Sequence, residues 1–262
     1  MTVRLPNPLY RLYERRLSAQ LRGPLPRHVG VILDGNRRWA ASFGEPAATG
    51  HRRGAGKIAD FLNWAEALGI EVVTLWMLST DNLSRTSGEL GELQLIIEDA
   101  VRELSAAGRW HLRVVGRLDL LPEPMAAALR DAADATSHVS GLAVNVAIGY
   151  GGRQEIADAV RAYLREQAAQ LSADVGTVPE ALDQLANSID MEDIASHLYT
   201  AGQPDPELVI RTSGEQRIGG FLMWQSAQSE LYFCEAYWPD FRRVDFLRAL
   251  RDYTRRERRL GK

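Results

Sequence analysis

A single cysteine, Cys234, excludes a disulfide framework and any cysteine-based metal centre in this 262-residue chain. It lies in the apolar run ELYFCEAYW and reads as core. Lysine is nearly as scarce: Lys57 and Lys262 stand alone, so arginine carries almost all the positive charge. Arginine suits bidentate recognition of phosphate, but a genome rich in arginine codons gives the same bias, so only individually placed arginines count. Positive charge is not in excess either. With 31 basic and 34 acidic side chains the net charge is −3, and no global field draws in nucleic acid or anionic lipid. No apolar run is long enough to span a bilayer, and the first residues lack the apolar stretch of a secretory signal. A cytoplasmic, reducing setting is expected. Neither a Walker A loop nor a G-x-G-x-x-G after the first strand is present, so ATP or NAD by those routes is not expected.

What is present is an ordinary globular composition, 45% hydrophobic and 25% charged, in a chain long enough for a substantial core. Residues 1–26 are set off by prolines and contain PLYRLYERRLSAQL, an amphipathic helical segment with a basic face. It is expected to pack on the body or a partner, with contact to a membrane surface as the sharper alternative. From residue 27 onward strand-like and helix-like segments alternate. Strands are predicted at 28–34, 71–78, 111–116, 142–150, 207–212 and 230–238, and helices at 52–69, 87–107, 122–136, 153–171, 178–198 and 243–258. Several strands are apolar on both faces, as in a parallel sheet covered by helices on each side. The pattern predicts one α/β domain over residues 27–262, without repeats or an interdomain linker.

Polar clusters fall where strands are predicted to end. The first is Asp34-Gly35-Asn36-Arg37-Arg38-Trp39, followed by Gly50-His51; the second is Ser79-Thr80-Asp81-Asn82, with Arg85 and Glu89 behind it. The third is Gly149-Tyr150-Gly151-Gly152-Arg153, and the fourth is Arg211-Thr212-Ser213-Gly214-Glu215 with Arg217 beyond. In open α/β sheets the carboxyl edge of the strands is where ligands bind. A strand ending at Asp34 delivers a carboxylate there, able to hold a divalent cation while Arg37 and Arg38 meet phosphate oxygens. An aspartyl-phosphate phosphatase would want a second acid two residues after the first, where this chain has Asn36. No Ser-His-Asp elbow is present, and the C-terminal arginines form no groove-reading stripe for nucleic acid.

DGNRRWA, GHRRGAGK, LSTDNLSR, NVAIGYGGR, LVIRTSGEQR and WQSAQSELYF, in that order, resemble the motifs of the cis-prenyltransferases, the undecaprenyl diphosphate synthase family. The resemblance runs from about residue 26 to the end, and it implies a central six-stranded, mostly parallel sheet flanked by helices, in a homodimer. It also implies a Mg²⁺-dependent reaction. An allylic diphosphate ionises, the double bond of isopentenyl diphosphate attacks its C1, and proton loss leaves a new Z double bond. Asp34 matches the essential acid that engages Mg²⁺ and the allylic diphosphate. Gly35, Asn36, Arg37 and Arg38 match the allylic cradle, with His51 beside it and Trp39 as a packing or wall residue. Ser79, Thr80, Asp81, Asn82 and Arg85 match the loop between the substrates. Asn82 stands at the proposed proton acceptor, although a neutral amide is a weak base and its role reads as orientation, with a diphosphate oxygen as the alternative. Arg211 and Arg217 match the isopentenyl diphosphate clamp, with Gly219 at the substrate-binding position beside them, and Glu230 matches the second magnesium ligand. Arg259-Leu260-Gly261 resembles a tail that reaches the partner's diphosphate site. Trp76, Trp224 and Trp238 read as core.

The chain departs from the long-chain members of that family at several positions. It has Ala47 where they carry a further arginine, Leu83 for tryptophan, Gln216 for histidine and Gly219 for serine. Met77 sits where long-chain members tend to have a small residue, and a bulky side chain there would cap the product tunnel early. The implied product is short, such as Z,E-farnesyl diphosphate, with a decaprenyl or undecaprenyl carrier as the alternative. A non-catalytic support subunit is the competing class, and it would usually have lost the acid that Asp34 retains.

Overall fold

The structure, a computed structural model, describes residues 8–84, 87–170 and 178–255. Arg85 and the Arg259-Leu260-Gly261 tail lie outside the described residues. The strands are β1 (His28–Ile32), β2 (Val72–Ser79), β3 (His111–Val115), β4 (Ala143–Tyr150), β5 (Leu208–Arg211) and β6 (Glu230–Phe233). They form one six-stranded sheet in the order β3-β4-β2-β1-β5-β6, and every pairing is parallel. All five residues of β1, HVGVI, are buried, as a central strand covered on both faces requires. The chain builds outward from β1 to one side first and then returns to lay β5 on the other. That reversal opens a crevice beyond the carboxyl ends of β1 and β5.

Helices cover the two faces unequally. On one face α3 (Ala47–Ala67), α4 (Ser87–Ala107), α5 (Glu123–Ala135) and α9 (Arg243–Arg255) share the main core with Phe61, Leu75, Val144 and Phe246. The other face carries α6 (Gly152–Gln170) and α8 (Met191–Ala195), with a smaller cluster built on Tyr150, Val209 and Phe221; α7 (Val178–Ser188) precedes α8 in the chain and buries none of its residues. The first helix, α1 (Pro8–Ser18), seats Leu17 against Val244 and Leu247 of α9, while Leu9 and Leu12 stay 73% and 64% exposed.

Most boundaries fall within a few residues of the sequence reading, β1 ending at Ile32 instead of 34, and three larger differences have identifiable reasons. The strand expected to run to 238 stops at Phe233, because Cys234 and Ala236 turn their carbonyls to the amides of Gly214 and Ser213. The helix expected over 178–198 breaks before α8, where Asp190 and Asp193 form a reciprocal capping box. The helix expected from 52 begins at Ala47, directly after Pro46, and a separate short helix, α2 (Asn36–Ser42), precedes it.

Candidate active site

Asp34 follows β1 at the point where the crevice opens, and Gly35 turns the chain into α2 with φ of 101°. A side chain could not replace that glycine, since a Cβ there would lie 2.6 Å from the Tyr237 ring and 2.9 Å from Ser213. The Asp34 carboxylate is held from two sides. Arg211 Nη2 at the end of β5 donates to Oδ2 at 2.8 Å, and Arg38 Nη2 donates to Oδ1 at 3.3 Å. Burial alone would raise the carboxyl pKa, but the bond and charge of Arg211 and the charge of Arg38 outweigh it and hold Asp34 below the ordinary carboxylate value. Arg211 is itself buried, and its Nη1 donates to the Arg217 carbonyl at 2.6 Å, which fixes the loop after β5.

Glu215 stands between two arginines. It pairs with Arg38 at 3.1 Å and with Arg217. Glu89, from the start of α4, pairs with Arg37 at 3.4 Å. Ser213 adopts φ of 78°, rare for a side-chain-bearing residue, and accepts a bond from Arg38 Nη2 at 2.7 Å. The pattern of charges is therefore Arg211, Asp34, Arg38, Glu215, Arg217, alternating in sign across the mouth of one cavity.

That cavity has a volume of about 610 Å³. It gathers Asp34, Gly35, Asn36, Arg37, Arg38, His51, Ser79, Asp81, Asn82, Arg211, Arg217 and Gly219, which the sequence had placed in separate clusters. Its remaining walls are apolar, with Ile58, Met77, Leu93, Ile96 and Ile97 on the α3–α4 side. Asn36 Oδ1 and Arg211 Nε are buried in it without hydrogen-bond partners among the described residues, as polar groups awaiting a ligand would be. The loop after β2 is tied down by the Asn82 amide, which donates to Ser79 Oγ at 3.1 Å.

Not every expected residue joins the cavity. Trp39 packs against Phe43 with ring centroids 5.0 Å apart and does not line it. Thr80 sits behind, its amide bonded to the Tyr150 carbonyl. Glu230 is corrected most clearly: it opens β6 in register with Leu208, which pairs with Val29, so it lies at the amino end of the sheet. Asp34 lies beyond the carboxyl end, and a magnesium ion held by both within one protomer is ruled out by that register. Trp76 is the opposite correction. Sequence alone reads it as core, yet it lines the cavity. Glu215 and Ser213 were legible only as members of the fourth cluster, with no role attached.

Arginines and an ionised carboxylate at the switch point of a parallel sheet, beside a long apolar wall, define a site for ligands with a phosphate head and a hydrocarbon body. Residues 32–261 match the family described as putative undecaprenyl diphosphate synthase, and the chain belongs to that prenyltransferase family. It is 58% identical to a (2Z,6E)-farnesyl diphosphate synthase of Thermobifida fusca, over 97% of each chain. It is 55% identical to isoprenyl transferase 1 of Streptomyces avermitilis, over 97% of this chain and 96% of that one. Among solved structures, lavandulyl diphosphate synthase from Lavandula x intermedia in complex with dimethylallyl diphosphate superposes with a TM-score of 0.81 at 32% identity, covering 91% of this chain and 99% of that one.

Proposed function

We propose that this chain condenses isopentenyl diphosphate with an allylic diphosphate such as geranyl diphosphate, giving a short Z product, Z,E-farnesyl diphosphate. The observation that carries this is the joining, in one cavity, of the Asp34–Arg38–Arg211–Arg217 cluster with the apolar wall that includes Met77. In the reaction the allylic C1–O bond breaks and its electron pair leaves with the diphosphate. The isopentenyl double bond forms the new bond to C1, and a proton is lost from the neighbouring carbon. Arg37 and Arg38, with His51 and Asn36, hold the allylic diphosphate; Arg211 and Arg217 hold the other one. Preorganised guanidinium groups aimed at the leaving diphosphate stabilise charge as it develops there. Asn82 orients the carbon that loses its proton, which passes to a diphosphate oxygen.

Magnesium fits this site through Asp34. Mg²⁺ favours one or two carboxylates together with substrate phosphates and water over an all-protein cage. Among the described residues no group of three His, Cys, Asp or Glu forms such a cage, while Asp34 offers ionised oxygens beside the diphosphate cradle. When bound, the ion would neutralise charge on the leaving diphosphate. The reading includes a homodimer, with β6 as an edge strand whose residues are all half-exposed and available to a second copy. It also includes peripheral membrane contact through α1, where Leu9 and Leu12 are exposed beside arginines.

The test is incubation of the purified chain with Mg²⁺, labelled isopentenyl diphosphate and geranyl diphosphate, resolving products by length and double-bond geometry. One Z-condensation is expected, and chelation of the metal should abolish it. Met77→Ala should extend the product by at least one further five-carbon unit. An unchanged length in that variant would refute Met77 as the limit, and absence of any condensation would refute the reading itself.

A further inference from the structure

Trp76 and Met77 are neighbours on β2, and their side chains take opposite faces of the sheet, just before the pairing with β4 slips out of register. Met77 packs with the main core under α3 and α4, whereas Trp76 belongs to the smaller cluster on the other face. Both line the central cavity. The cavity therefore wraps over the carboxyl end of β2, and its two sides offer different amounts of apolar surface. The Met77 side continues along Ile58, Leu93, Ile96 and Ile97 and suits an extended chain. The Trp76 side presents one indole next to cations. A Cβ built on Gly219 would lie 3.5 and 3.6 Å from Cζ3 and Cη2 of Trp76, and 3.5 Å from Arg211 Nη1.

The indole is also unable to retreat. It stacks on Phe221 with centroids 5.3 Å apart and planes 14° from parallel, and it stands edge-on to Tyr150 at 6.3 Å. Tyr150 is fully buried and its hydroxyl donates to Glu155, which also accepts from the Tyr199 amide and the Gln225 side chain. A wall backed in this way resists displacement, because a packed aromatic cluster yields to an extra methylene only at a cost.

We infer that Trp76 sets the size limit on the substrate that is added, restricting it to five carbons. Its indole is the wall against which the branched end of isopentenyl diphosphate packs while Arg211 and Arg217 hold the diphosphate. This rests on the prenyl-transfer reading above, and it adds a residue that determines which building block is accepted. Discrimination of a single methylene by an apolar wall amounts to roughly ten- to two-hundredfold.

The experiment compares isopentenyl diphosphate with its homologue 3-ethylbut-3-enyl diphosphate, at saturating geranyl diphosphate and Mg²⁺, as a ratio of kcat/KM. The wild type should prefer the natural substrate by about tenfold or more. Trp76→Leu should bring the ratio close to unity, Trp76→Phe should fall between, and the KM for geranyl diphosphate should stay within about twofold. Because the ratio is taken within one variant, loss of folded protein cancels. A ratio unchanged in Trp76→Leu, or a loss felt equally by geranyl diphosphate, overturns the inference while leaving prenyl transfer intact. Failure of the wild type to condense isopentenyl diphosphate at all overturns prenyl transfer first.

Discussion

His28 shows what one side chain can fix without touching the site. It is 1% exposed at the start of β1. Its Nδ1 donates to the Pro204 carbonyl at 2.7 Å, and its Nε2 accepts from the Thr74 hydroxyl at 2.8 Å, which in turn accepts from Asn145 at 2.9 Å. Burial disfavours the charged ring and lowers its pKa from 6.5 to about 4. The unfolded chain then binds the extra proton first, so the stability contributed by His28 is full above pH 6.5 and is lost as pH falls toward about 4. The loss should approach about 3 kcal/mol across that window. Urea unfolding followed from pH 7 to pH 5 should show this slope in the wild type and a flatter one in His28→Gln; equal slopes would contradict the assignment. None of this was legible in the sequence, where a histidine opening a strand carries no sign of its burial. Asp34 was legible, because an acid closing an apolar run just before a glycine has few places to go but a strand's end. Trp76 was misread because period-two alternation says which face a residue takes, not whether a cavity opens on that face.

At the scale of elements, the packing of α2 on α3 is what presents Asn36 to the cavity. Gly50 and Gly54 lie one turn apart on α3, and a Cβ on either would overlap Asn36, its backbone carbonyl at Gly50 and its side-chain oxygen at Gly54. The two helices approach this closely only because those side chains are absent. Gly50→Ala should therefore lower stability by about 1–3 kcal/mol and raise the KM for the allylic diphosphate more than that for isopentenyl diphosphate. Chemical denaturation together with steady-state kinetics on each substrate checks it, and an unchanged allylic KM would show that Asn36 does not depend on this contact. The glycines of GHRRGAGK were visible in the sequence as part of a motif, but their reason was not, since it belongs to an encounter between two elements. The same limit explains the strand that ends at Phe233, where the chain turns to bond the loop after β5; the break before α8 is local, a capping box that apolar periodicity does not register.

For the whole molecule, alternation of strand and helix patterns was enough to predict an α/β fold with ligand chemistry at one edge. The order of strands was not legible, because β4 inserts between β3 and β2 and only the packed sheet shows it. The outer surface carries its own expectation. With Leu9 and Leu12 exposed on α1 and Arg11, Arg15 and Arg16 beside them, the chain should co-sediment with phosphatidylglycerol vesicles and lose that in Leu9→Asp/Leu12→Asp, with its condensation rate retained. Retention on vesicles by the double variant would remove α1 as the contact. At the cavity mouth the guanidinium groups are paired with the chain's own carboxylates, Asp34 with Arg38 and Arg211, Glu215 with Arg38 and Arg217, and Glu89 with Arg37. Binding of a diphosphate is therefore an exchange of anions, not the filling of a bare positive hole. When the inorganic product departs, two internal acids, Glu215 and Glu89, compete to take its place on Arg38 and Arg37, and the catalyst carries its own displacing agent against the anion it makes in every turnover.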